Sequence, residues 1–180
     1  MKNKIHPLSP EKVSIKGMEI LDRTSMMKEV SLLKLLVKSR EKCFSVYSYV
    51  SFTRPGYARD ADRFHFHRFQ KDRFTVVFGK LWILLYDARK DSKTFGKLEV
   101  IQVDGGKFSV TEKKELPVYT ITIPEGVFHG IKNPGPEWTC LANHPTAEYN
   151  PKDEGRVPFS EIPILSLGGK PFDWNIVSKK

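Results

Sequence analysis

The stretch HFHRFQKDRFTVVFG, residues 65–79, decides how this chain reads. Its second half, RFTVVF, is rich in β-branched and aromatic residues and closes on Gly79, the composition of a strand ended by a turn. His65 and His67 are two residues apart, and on a strand such residues point to the same face. Asp72 follows five residues after His67, and Gly79 seven after that. Two histidines on one face can hold a metal, act as a catalytic base with its neighbour, or be ordinary polar strand residues. The stretch alone leaves all three open.

Outward from it the same pattern repeats. FSVYSYVSF (44–52), DRFHFH (62–67), KLWILLYDA (80–88), KLEVIQV (97–103), KFSV (107–110), PVYTITI (117–123) and EWTCLAN (137–143) are short, apolar and divided by Gly, Pro, Asp and Lys turns. No helical segment alternates with them, which argues against parallel βαβ units and for an antiparallel sandwich or barrel-like jelly roll. Before residue 44, MMKEVSLLKLLVKSREK (26–42) places Met27, Val30, Leu33 and Val37 at helical spacing, while its doubled leucines also suit two short strands. We therefore expect an N-terminal arm over 1–43, a barrel over 44–165 and an irregular tail over 166–180.

The chain has 180 residues and a net charge of +9, with Lys and Arg scattered singly. That balance favours anionic partners, whether nucleic acid, a membrane surface or a phosphorylated small molecule, or simply a solvated basic surface, and no basic block or nucleic-acid signature is present. No apolar run nears the roughly 20 residues that span a bilayer, and MKNKIHPLSPEK does not read as a secretory signal. Cys43 and Cys140 are far apart and read as free thiols, so a cytoplasmic location is expected.

A second segment, PEGVFHGIKN (124–133), supplies a third histidine, His129. His65, His67, Asp72 and His129 together form a three-His, one-carboxylate set that suits Fe, Mn, Ni or Zn. HxH-x4-Asp-x6-Gly followed by PxGxxHxxxN resembles the two signature motifs of the cupin superfamily, small jelly-roll β-barrels. Here Asp72 stands where Glu is usual, and the motif-opening Gly and Pro are replaced by Arg59 and Val118.

A closer resemblance covers roughly residues 46–165. LYDARKDSKTFGKLEV (85–100) is similar to the VDxRxxSPTFG signature of dTDP-4-dehydrorhamnose 3,5-epimerases, TIPEGVFHGIKN (122–133) to their IPxGxxHGF segment, and AEYNPKDEGRV (147–157) to their YYxPxxExG segment. PGYARDADRFHFH (55–67) resembles their PGxLRGLHxQ run with residues inserted. The resemblance implies a cupin-folded homodimer that needs no metal and isomerises a nucleotide-diphosphate sugar with a 4-keto group, in carbohydrate biosynthesis. It implies His65 as the base, with His67 where the family has Gln, and Lys71 or Arg73 as the cation near the enolate. Arg59 or Arg63 takes the place of the family arginine, and His129 and Tyr149 contact substrate. The family's proton-donating tyrosine falls on Asn143, which cannot act as a general acid. Its aspartate partner for the base has no clear counterpart. The residues thus support three expectations: an epimerase or 3,4-ketoisomerase, a metal-dependent cupin, or a sugar-binding relative without catalysis.

Overall fold

A computed structural model describes residues 4–22, 47–105 and 118–178. The expected helix or strand pair over 26–42, Cys43 and the KFSV strand lie outside the described residues.

Eleven strands are described: β1 Glu19–Asp22, β2 Tyr49–Thr53, β3 Ala58–Arg59, β4 Arg63–His67, β5 Asp72–Phe78, β6 Lys80–Asp87, β7 Leu98–Asp104, β8 Tyr119–Ile123, β9 Val127–Lys132, β10 Thr139–Asn143 and β11 Glu154–Pro158. They form two sheets, ordered β1-β8-β5-β10-β2 and β11-β4-β9-β6-β7, with β3 added to β9. Each named pairing is antiparallel. The only helical elements described are short 3-10 turns. The all-β jelly roll expected from the sequence is the fold found.

The reason for this architecture is plainest in β6. Its run LWILLY is buried throughout, and alternation sends its side chains to two different cores. Leu81, Ile83 and Leu85 join Phe74, Ile121, Ile131 and Leu141 between the sheets. Trp82, Leu84 and Tyr86 face outward instead, and the segment after β11 covers them with Phe159, Ile164, Phe172 and Trp174. Both faces being dry, no polar residue is needed on either. Each large side chain so buried contributes roughly 1.5–3 kcal/mol. The tail beyond residue 165 therefore belongs to the packed body, and Ile5 fixes its end through a bridge to Val177.

Two local features set the strand ends. Gly79, between β5 and β6, has φ +81°, and a Cβ there would lie 2.4 Å from the Trp138 carbonyl oxygen. After β6, the buried Asp87 carboxylate accepts from Arg89 Nε at 2.8 Å, Ser92 Oγ at 2.6 Å and Thr94 Oγ1 at 2.6 Å. The DARKDSKTFG signature is thus a stapled loop that closes the β6–β7 hairpin.

Candidate active site

The histidines come from one sheet and the carboxylate from the other. His65 and His67 share the cavity-facing side of β4, while Phe64 on its other side packs into the outer core. His129 lies opposite His65 on β9. Asp72 begins β5 in the facing sheet and shares its inward side with Phe74 and Val76. Beside it, Asn143 ends β10, and Tyr49 pairs with Asn143 on β2. These walls enclose a cavity of about 230 Å³, open on one side. That is smaller than the roughly 300–1,000 Å³ of pockets for drug-sized ligands.

The four expected metal-type side chains meet here. His65 Nε2 lies 3.0 Å from His67 Nε2, and Asp72 Oδ2 lies 3.7 Å from His67 Nε2 and 3.3 Å from His129 Nε2. Each ring has a partner on its other nitrogen. His67 Nδ1 is 3.2 Å from Asp153 Oδ2, His129 Nδ1 is 3.1 Å from the Val127 carbonyl, and His65 Nδ1 is 3.6 Å from Glu154 Oε1. The other nitrogen of His129, Nε2, faces Asp72. That nitrogen is buried, and the Asp72 Oδ2 it faces is 3.3 Å away.

Burial sets the titration of the cluster. It is the largest force pulling the His65 pKa down, with the neighbouring His129 and His67 rings adding to it, so His65 is a neutral imidazole at physiological pH. Burial alone would raise Asp72, but the facing His129 and His67 rings and the Asn143 amide outweigh it and hold the carboxyl below its usual range.

The structure separates the other expected site residues. His65, His67, Asp72, His129, Arg59 and Tyr149 line the cavity. Lys71 and Arg73 are not among the lining residues, because side chains alternate along β5 and Asp72 takes the inward position. Arg63 likewise lies outside the lining and is paired with Asp62 at 2.7 Å. Asn143 is fully buried behind the wall. Its Oδ1 accepts from the Arg73 backbone N–H at 2.9 Å, and its Nδ2 donates to Asp72 Oδ1 and Tyr49 Oη, each at 3.0 Å. Asp173 caps the 3-10 turn over Trp174–Ile176.

Sequence reading missed Tyr49, Asp153, Glu154 and Arg156. The last three lie in NPKDEGRV, whose resemblance to the YYxPxxExG segment was legible while its pairing with β4 was not. That pairing sets Glu154 opposite His67 and Arg156 opposite His65. Arg156 and Arg59 are the exposed cations of the cavity rim among the described residues.

The chain is 34% identical over 131 residues, 71% of its length and 72% of the relative's, to the probable low-salt glycan biosynthesis epimerase Agl13 of Haloferax volcanii. It belongs to this family of sugar epimerases. It is also 29% identical over 142 residues to the spore coat polysaccharide biosynthesis protein SpsL of Bacillus subtilis, covering 78% of this chain and 83% of that one. No family model matches the chain. Its fold is that of NovW, a 4-keto-6-deoxy sugar epimerase of Streptomyces spheroides, at TM-score 0.61, 17% identity and coverage of 96% of this chain and 85% of that one. The dTDP-4-dehydrorhamnose 3,5-epimerase of Elizabethkingia anophelis matches at TM-score 0.59 and 19% identity, over 94% of this chain and 89% of that one. The resemblance read from the sequence is thereby borne out, and the chain is an epimerase-like enzyme.

Proposed function

We propose that the chain isomerises a nucleotide-diphosphate-linked 4-keto-6-deoxyhexose by proton removal next to the keto group, with His65 as the base. The observation that carries this is the neutral His65 in the cavity, backed by a carboxylate on each histidine of its strand. His65 is the more accessible of the pair, at 20% against 9% for His67. It takes the proton from carbon, and the C–H electrons become the enolate. Two imidazole nitrogens 3.0 Å apart share one proton, and the charge gained is stabilised by Asp153 on His67, with Glu154, itself ion-paired with Arg156, beside His65. Reprotonation of the enolate restores the ketone. Arg59 at the rim meets the diphosphate, and Arg156, which is ion-paired with Glu154 and with Asp60 at 3.5 Å, lies beside it, in keeping with the net charge of +9. A homodimer and a cytoplasmic setting belong to the same reading, and sedimentation equilibrium tests the first.

The test is solvent exchange. Chelator-treated protein is incubated with dTDP-4-keto-6-deoxyglucose in D2O, and the sugar protons are followed by NMR. Loss of the C3 signal alone marks one-centre enolisation, as in a single-site epimerase or ketoisomerase. Loss at C3 and C5 marks a double epimerase. Wild-type protein no faster than His65→Ala at either carbon ends the proposal for this substrate.

A second reading has its own observation: the buried Nε2 of His129, aimed at Asp72 Oδ2 3.3 Å away. Ligand atoms of His65, Asp72 and His129 lie within 4.8 Å of one another, and the outer partners on the rings are those that orient metal-bound histidines. The residues fit a divalent ion, held by these three with His67 beside them. Such an ion would act as a Lewis acid on the sugar carbonyl. Metal content of protein purified without chelator, and its loss in His129→Ala, decide this reading. Metal-free wild-type protein that takes up no Zn, Mn, Ni or Fe rejects it.

A further inference from the structure

The sequence leaves the enzyme without an acid, because Asn143 stands where the resemblance places a tyrosine. The structure brings another tyrosine to the same corner of the cavity. Tyr49 is the residue directly opposite Asn143 across the β2–β10 ladder, and it lines the cavity with His65. Opposed residues on antiparallel strands share a face, so Tyr49 points to the cavity, where it is 37% exposed, while its neighbours Val50 and Phe52 point out and are more exposed, at 56% and 61%. The Tyr47 ring stacks against it, with centroids 6.1 Å apart.

The hydrogen bonds fix which proton is free. Asn143 Oδ1 is committed to the Arg73 backbone N–H, which sets the amide orientation. Its two amide protons then go to Asp72 Oδ1 and Tyr49 Oη. The Tyr49 oxygen is therefore an acceptor in this contact, and its own hydroxyl proton is not spent on Asn143. The same bond stabilises the tyrosinate left when that proton departs. Burial works the other way and raises the Tyr49 pKa, so the group rests protonated at physiological pH.

Position completes the argument. His65 is on one sheet and Tyr49 on the facing sheet, so a sugar ring held between them meets the base on one side and the phenol on the other. We propose that Tyr49 is the general acid of this enzyme and delivers a proton to the enolate carbon on the face opposite His65, with Asn143 holding the phenol oxygen. In that step the Tyr49 O–H bond breaks, a new C–H bond forms with the enolate electrons, and the C=O bond is restored. The histidine pair ends one proton richer and Tyr49 one poorer, and exchange with water resets both.

This inference rests on the enolising function proposed above. The experiment compares wild type, Tyr49→Phe and His65→Ala on dTDP-4-keto-6-deoxyglucose in D2O, reading deuterium uptake and inverted product separately. For Tyr49→Phe, inversion is expected to fall about 100-fold or more, the span of general acid catalysis, while deuterium uptake with retained configuration continues through His65. A purely structural role would lower both together, and thermal melting and dTDP binding report the integrity of the variant. Wild type that exchanges and inverts alongside a Tyr49→Phe variant inverting equally fast overturns Tyr49 and leaves the functional reading standing. Wild type that exchanges without inverting overturns Tyr49 as well. Wild type that does neither overturns both.

Discussion

At the scale of single residues, the cluster keeps ionisable groups buried in chosen protonation states, and this makes stability depend on pH. The His65 pKa is lowered, first by burial and then by His129 and His67. Burial also lowers His144, helped by the charge of Arg73. Unfolding returns both to about 6.5, so below that pH the unfolded chain binds protons the native one does not. The stability they contribute is complete above pH 6.5 and is lost as pH falls toward the native values. Asp72, also lowered, adds a loss of the same sign below about pH 4. We expect the melting temperature of metal-free protein to fall between pH 7 and 5, and His65→Gln to make that fall shallower. Calorimetry across this range checks it, and a melting temperature that rises on acidification contradicts it. His65 and His67 were legible in the sequence because two-residue spacing on a strand fixes a shared face. Glu154 and Asp153 were not, because nothing in local spacing says which strand β4 pairs with.

At the scale of elements, the strands follow from composition and the turns from backbone geometry. The runs RFTVVF, KLWILLYDA and KLEVIQV became β5, β6 and β7 within a residue or two. Short β1, β3 and β11 escaped, since two to five residues without strong alternation carry no periodic signal. β9 was recognised as a motif and not as a strand. Gly79 shows what a turn demands: positive φ joined to a carbonyl that leaves no room for Cβ. Gly79→Ala adds both strain and a clash, and we expect a loss of at least about 2 kcal/mol in urea unfolding. A loss below about 0.5 kcal/mol would show that the β5–β6 turn relaxes freely. The DARKDSKTFG loop teaches a related lesson. Its Asp, Arg, Ser and Thr are the most recognisable residues in the chain, yet they bond to one another and do not line the cavity. A signature marks a fold as readily as a site.

For the whole molecule, the two cores make the chain's ends interdependent. Phe172, Trp174 and Val177 are buried against the outer face of β6, and Ile5 bridges Val177. Deleting residues 171–180 removes three large buried side chains, each contributing roughly 1.5–3 kcal/mol, against a total stability of about 5–15 kcal/mol. We expect the truncated chain to be unfolded or to melt far below the full one, by circular dichroism. An unchanged melting curve would show that the tail is an appendage. No described helix is long and apolar enough to cross a membrane.

By itself the sequence determined the strand-rich architecture, the shared face of His65 and His67, and the partnership of those residues with Asp72 and His129. Each is a local or motif-level property, fixed by period-two alternation and by residue type. Only the tertiary structure decided which carboxylates back the histidines, that Asp72 faces the cavity while Lys71 and Arg73 stay outside it, and that Tyr49 stands beside Asn143. Those facts depend on strand pairing across dozens of residues and on how two sheets close around one space. Pairing is set by the burial of whole faces at once, and no single segment of the chain carries that information.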